Sequence, residues 1–144
     1  MENTTEKNTS FFRFEDLRIY HKALDFTEWV HESISFMTSD DKVNIGGPML
    51  KAAQNIAINI AEGSARNKSQ FVYYLKMAKS SVRECVVLNS ICHKLHLISD
   101  EKEEEGRKQL MELTKMVGAL IASLQKSQGS AGHDEKQSED VDYD

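Results

Sequence analysis

The sequence predicts an all-α protein, an antiparallel up-and-down four-helix bundle. Three observations carry this. Apolar residues recur at three- and four-residue steps over most of residues 14–126. The one Pro and three of the seven Gly, Gly46, Gly47 and Gly63, fall at the junctions of the periodic runs. The runs are long and the connections mostly short, as antiparallel neighbours require. With 144 residues, 40% of them hydrophobic, there is room for one core with polar ends. We expect a disordered N-terminal end over 1–13, the bundle over 14–126 and an acidic disordered tail over 127–144, too poor in apolar residues to fold.

The first helix follows Phe14-Glu15-Asp16-Leu17, with Asp16 as N-cap and Leu17, Tyr20, Ala23, Leu24, Thr27, Val30 and Ile34 along one side. Trp29 and Phe36 fall outside that stripe, which marks a second buried surface. Residues 38–47 hold turn formers without a sustained period and read as the longest connection. Pro48 then opens the second helix with Gly47 as cap. Ala53, Ala57 and Ala61 form a smooth ridge for a close neighbour, and Gly63 ends the helix in a left-handed C′ conformation. Asn67 or Ser69 caps the third helix, which runs to about Leu97. Ser99 caps the last helix, with Asp100, Glu101 and Glu103 at its positive end, and Leu110, Leu113, Val117, Leu120, Ile121 and Leu124 thread it to about Gln125. Apolar faces on the first three helices exceed what one bundle hides. Self-association as a closed ring or dimer is expected.

Charge is distributed unevenly. Between Lys42 and Ile98 stand eight basic residues against Glu62 and Glu84, while the whole chain is net −5. A basic middle in an acidic chain fits a localised anion-binding surface, or a solvated face paired to acidic helices. Two cysteines, no apolar run long enough to span a bilayer and no secretory h-region lead us to expect a cytoplasmic protein outside the membrane.

Two segments resemble a known family. Phe14-Glu15-Asp16-Leu17-Arg18-Ile19-Tyr20-His21-Lys22-Ala23 is similar to the opening run of the small bacterial proteins named for the intervening sequence of 23S rRNA. Ala52 to Gly63, ending Asn59-Ile60-Ala61-Glu62-Gly63, resembles their second motif, followed by Arg66, Phe71 and Ala78-Lys79-Ser80-Ser81 before Glu84. The resemblance spans about Phe14 to Leu124. It implies a four-helix bundle assembled as a homopentameric ring, and kinship with accessory proteins of diversity-generating retroelements that bind nucleic acid through basic surfaces. The ribosomal label of this family reflects gene location.

No spacing amounts to a catalytic motif. His21, His31 and His93 have no nucleophile beside them, Ser64, Ser80 and Ser81 lack a nucleophile-elbow context, and Gly46-Gly47 is not followed by the Lys-Ser/Thr of a phosphate loop. Cys85, Cys92 and His96 lie within about 40° of one another on an ideal helix. Three ligands on one helix need a fourth from elsewhere, so the thiols read as core fillers and no metal or cofactor is expected. The candidate nucleic-acid contacts are Arg66, Lys68, Lys76, Lys79, Arg83 and Lys94, as phosphate partners with little base readout. Asn59, Glu62 and Gly63 read as a structural motif, with Arg66 or Arg83 as partner of the carboxylate. Trp29, Phe36, Val72 and Val86 are the candidate oligomer interface. The expected function is a non-enzymatic oligomeric adaptor that binds RNA or DNA; a protein-binding scaffold is the alternative.

Overall fold

The computed structural model describes residues 10–132 and is helical throughout, with no strand among the described residues. A 3-10 turn, Arg13–Asp16, leads into α1, Arg18–Ile34. Next come α2, Gly47–Ser64, α3, Lys68–Lys94, and α4, Asp100–Gly132. Each helix packs on the next in chain order, and α4 closes against α1. Late α1 meets early α4 through Trp29 and Glu105, and the end of α2 meets the start of α3 through Gly63 and Tyr74. Neighbours therefore run antiparallel, as the short turns predict. The expected ends lie outside the described residues up to 9 and from 133 on; within them, α4 continues past the expected end near Gln125.

The core runs through the bundle as Phe26, Val30, Ile56, Ile60, Leu75, Val82, Leu110, Leu113 and Val117, all essentially without solvent contact. On α1 the buried face is Ile19, Ala23, Phe26, Val30, Ser33 and Ile34. It is rotated from the predicted stripe, and Leu24 is exposed. Asp16 does not cap α1. It ends the 3-10 turn, and its Oδ1 accepts the Ser10 N–H at 3.1 Å, while Leu17 holds the N-cap position without a side-chain bond.

Residues 38–47 are not a loop. Thr38 Oγ1 accepts the Asp41 N–H at 3.2 Å and starts a helical turn, Ser39–Asp41, that continues as a π turn, Lys42–Gly46, directly into α2. The turn formers of this stretch act as a cap and as small packing residues: a Cβ on Gly46 would lie 3.2 Å from Ile34 Cβ. Gly63 likewise does not end α2. It stays inside the helix, which stops at Ser64. Asn67 and Ser99 do cap α3 and α4, accepting from Gln70 N–H at 2.9 Å and Lys102 N–H at 3.1 Å.

Helix α3 stops at Lys94 in a Schellman motif. Leu97 N–H bonds Cys92 C=O at 2.8 Å and His96 N–H bonds His93 C=O at 3.0 Å, with His96 left-handed at φ 63°. Glycine is the usual residue there because a Cβ is strained in that region. Since His96 is exposed, His96→Gly should raise stability by about 0.5–1 kcal/mol, the relieved strain partly offset by a more flexible unfolded chain. Urea unfolding with an unchanged slope is the check.

Candidate nucleic-acid interface

Lys68, Lys76, Lys79, Arg83 and Lys94 all project within about 80° of arc around α3 at 100° per residue. Lys68, Arg83 and Lys94 are exposed and Lys76 is half-buried. Lys79 is a correction: it is 8% exposed and lies in the bundle's flank. The cause is legible in hindsight. Val72, Lys79 and Val86 are seven apart and share a meridian of the helix; Val72 is buried and Val86 half-buried, so the lysine stem goes under with them. Arg66 belongs to the α2–α3 turn. Its Nη2 is 3.2 Å from Glu62 Oε1 and its guanidinium lies 4.9 Å over the Tyr74 ring. Arg66 is thus the partner of the Glu62 carboxylate, and much of its charge is already answered. Lys68 Nζ bonds Ser127 Oγ, tying α3 to α4.

The motif Asn59, Glu62, Gly63 sits where α2 meets the start of α3. Asn59 is half-buried, Glu62 holds Arg66, and Gly63 has Phe71 and Tyr74 against it. This is a packing joint between two helices.

The predicted interface residues divide. Trp29 stacks on Phe26, with ring centroids 5.6 Å apart and planes at 19°. Its indole N–H donates to Glu105 Oε1 at 3.0 Å, and Lys102 Nζ lies 5.6 Å from the ring centroid. A Cβ on Gly106 would be 2.6 Å from Trp29 Cη2. The tryptophan is therefore anchored within its own chain, against α4. Val72 also faces inward, in the core. Phe36 is 84% exposed and remains available. Val86 lines a groove of about 530 Å³ between α3 and α4, with Val82 and Leu110 beneath it, Val87 and Met111 at its surface and Arg83, Arg107 and Lys115 around it. Sequence reasoning missed this groove, because Arg107, Met111 and Lys115 come from a helix it treated only as core and acidic cap.

Cys85 and Cys92 are buried in the core. Burial pushes the Cys85 thiol up to about 12, helped by the Glu84 charge, and raises Cys92 through burial and then Asp41. The thiolate, the form that ligates metal or attacks, is disfavoured at both. His96 stands outside on the turn, so the three do not converge. Among the described residues no group of three or more ligand-type side chains is placed to hold a metal ion, and no helix is long and apolar enough to cross a membrane.

These features define a class: a small up-and-down helical bundle. The family model for 23S rRNA-intervening sequence protein matches residues 15–119, and the chain belongs to that family. Its fold is similar to the crystal structure, at 1.70 Å resolution, of a protein of unknown function from the S23 ribosomal protein family of Bacteroides thetaiotaomicron. The two share 19% identity and a TM-score of 0.68, over 72% of this chain and 95% of that one. No curated protein matches the chain.

Proposed function

We propose that the chain is a non-enzymatic, self-assembling bundle that acts in the cytoplasm as an adaptor and docks the phosphate backbone of RNA or DNA along α3. The observation that supports this is the placement of Lys68, Lys76, Arg83 and Lys94 on one arc of an unbroken helix. At 1.5 Å rise per residue, these cations span ~39 Å. Exposed Tyr73 lies off that arc, so the surface suits backbone contact over base stacking. One subunit offers few contacts, and repetition around an oligomer raises their joint strength.

The assembly reading rests on exposed apolar side chains on two separate faces. Tyr73, Met77, Ile91 and Leu95 lie on the outer side of α3, and Leu24 and Ile58 flank the α1–α2 seam. Around that seam α1 also exposes Asp25, Glu28 and Glu32. Two different faces pair head to tail, and such contacts close into a ring where the rotation between neighbours allows it. Five subunits is the number the family resemblance implies.

The test is binding of a labelled structured RNA and a DNA duplex of equal length across a salt series, on protein whose mass has been fixed by light scattering. Affinity should fall steeply with salt, by close to one power of salt per phosphate contacted. Arg83→Glu with Lys94→Glu should lower affinity by about tenfold to a hundredfold and flatten that slope, with the oligomer mass unchanged. Lys79→Glu is the wrong probe, since it puts a shorter side chain of opposite charge where the lysine stem is buried and perturbs the fold. No binding at low salt would leave a protein-binding scaffold, for which the exposed Phe36 is the supporting feature; a monomeric mass would overturn the ring.

A further inference from the structure

The groove between α3 and α4 combines an apolar floor with a cationic rim, which no phosphate backbone needs. Val87 and Met111, both more than half exposed, form its accessible floor, and Arg83, Arg107 and Lys115 border it, with Arg107 also held by Glu103 at 2.7 Å. Surface so built suits an anionic segment that also carries apolar side chains. The sequence contains one. Residues 134–144 hold six acids against one lysine, and the stretch Glu139-Asp140-Val141-Asp142-Tyr143-Asp144 alternates acids with Val141 and Tyr143. Its net charge of −5 equals that of the whole chain, so the remainder is neutral overall and the acidic excess of the chain lies in this segment.

We infer that residues 139–144 dock in the α3–α4 groove of their own chain, with Tyr143 against Met111 and the flanking acids on the Arg83, Arg107 and Lys115 rim. Reach permits it. From Met111 to Gly132 the helix rises ~32 Å at 1.5 Å per residue, and eleven extended residues from Gly132 to Tyr143 span ~37 Å. Alternating side chains of an extended strand place Val141 and Tyr143 on one side. Both would point to the floor, while Asp140, Asp142 and Asp144 turn toward the rim and solvent. The tether keeps the segment at high effective concentration, so a few weak contacts suffice. A docked segment covers Arg83 and competes with any polyanion for that end of the α3 stripe. Docking itself does not rest on the nucleic-acid reading, because it is tested with no nucleic acid present.

The experiment is methyl NMR on the full chain labelled at the methionine methyl groups, compared with the chain ending at Gly132 and with full-length Tyr143→Leu. The Met111 methyl should shift on truncation, while buried Met49 and the outer-face Met77 stay in place. Tyr143→Leu should remove the ring-current part of that shift with every charge retained, and Lys115→Glu should move Met111 toward its truncated position. A Met111 resonance unmoved by truncation would overturn the docking, and one unmoved by Tyr143→Leu would overturn the placement of Tyr143. Labelled truncated chain mixed with unlabelled full-length chain tests the source. If its Met111 then shifts, the occupant belongs to another copy and docking within one chain is wrong.

Discussion

Phe26→Ala is expected to lower the free energy of unfolding by about 3–5 kcal/mol, the largest single effect of any substitution considered. Phe26 is without solvent contact at the middle of α1 and stacks on Trp29, which is in turn fastened to α4 by its bond to Glu105. Truncation removes the transfer free energy of a ring, leaves a cavity that two helices and a tryptophan cannot easily fill, and frees the indole of its stacking partner. Leu24→Ala, on the exposed side of the same helix, is the internal control and should cost under about 1 kcal/mol in dilute, dissociated protein, since Leu24 is one of the side chains the proposed assembly would cover. Urea unfolding of both at one fixed protein concentration decides it, since self-association makes apparent stability concentration-dependent. Equal losses would mean that the α1 face turned inward is the other one.

That contrast also shows what the sequence could and could not reveal. Helix number, order and direction were legible because apolar spacing and caps such as Asn67 and Ser99 depend on local chemistry. The rotation of α1 was not. Leu17, Tyr20, Leu24 and Thr27 line one flank while Phe26 and Trp29 line the other, and a helix set between α2 and α4 is apolar toward both. Periodicity gives the existence of a stripe, and only the neighbours decide which flank is deepest. Lys79 followed the same rule: its charge predicted solvent, and its two valine neighbours on the helix meridian placed it in the flank. The α3–α4 groove was beyond reach for a different reason. Its cations come from helices about 25 residues apart in sequence, and a composite surface of this kind exists only after the helices pair.

Glycine was the most consistently misread residue, because its missing side chain has two uses. Gly46 suggested a turn and Gly63 a helix end, whereas Gly106 suggested only a weak position inside the last helix. Each is right-handed, and for each the absent Cβ makes room for a side chain of another element. Sequence alone cannot separate a glycine needed for its dihedral angles from one needed for its size.

The test of that distinction is Gly63→Ala, expected to destabilise by about 2–3 kcal/mol although helix propensity alone predicts a gain of about 1 kcal/mol. The new Cβ would stand 2.7 Å from Tyr74 Cβ and 2.8 Å from Phe71 Cδ1. Neither separation occurs between unstrained carbons. Tyr74 Cβ is fixed to the α3 backbone, so rotating a side chain cannot relieve the first contact, and the α2–α3 joint must open by most of an ångström. Opening it also disturbs Arg66, which bridges Glu62 and the Tyr74 ring at the same joint. At Gly106 the closest atom is Trp29 Cη2, the far end of a side chain, with the Asn89 amide next at 3.0 and 3.1 Å. Trp29→Ala should therefore relieve most of the strain of Gly106→Ala, whereas no single truncation among the neighbours of Gly63 removes the Tyr74 Cβ. A double-mutant cycle on Trp29 and Gly106, set beside Phe71→Ala on the Gly63→Ala background, measures the difference. If Gly63→Ala instead raises the unfolding midpoint, the two helices stand farther apart than the structure places them, and this glycine is needed neither for its size nor for a left-handed helix end.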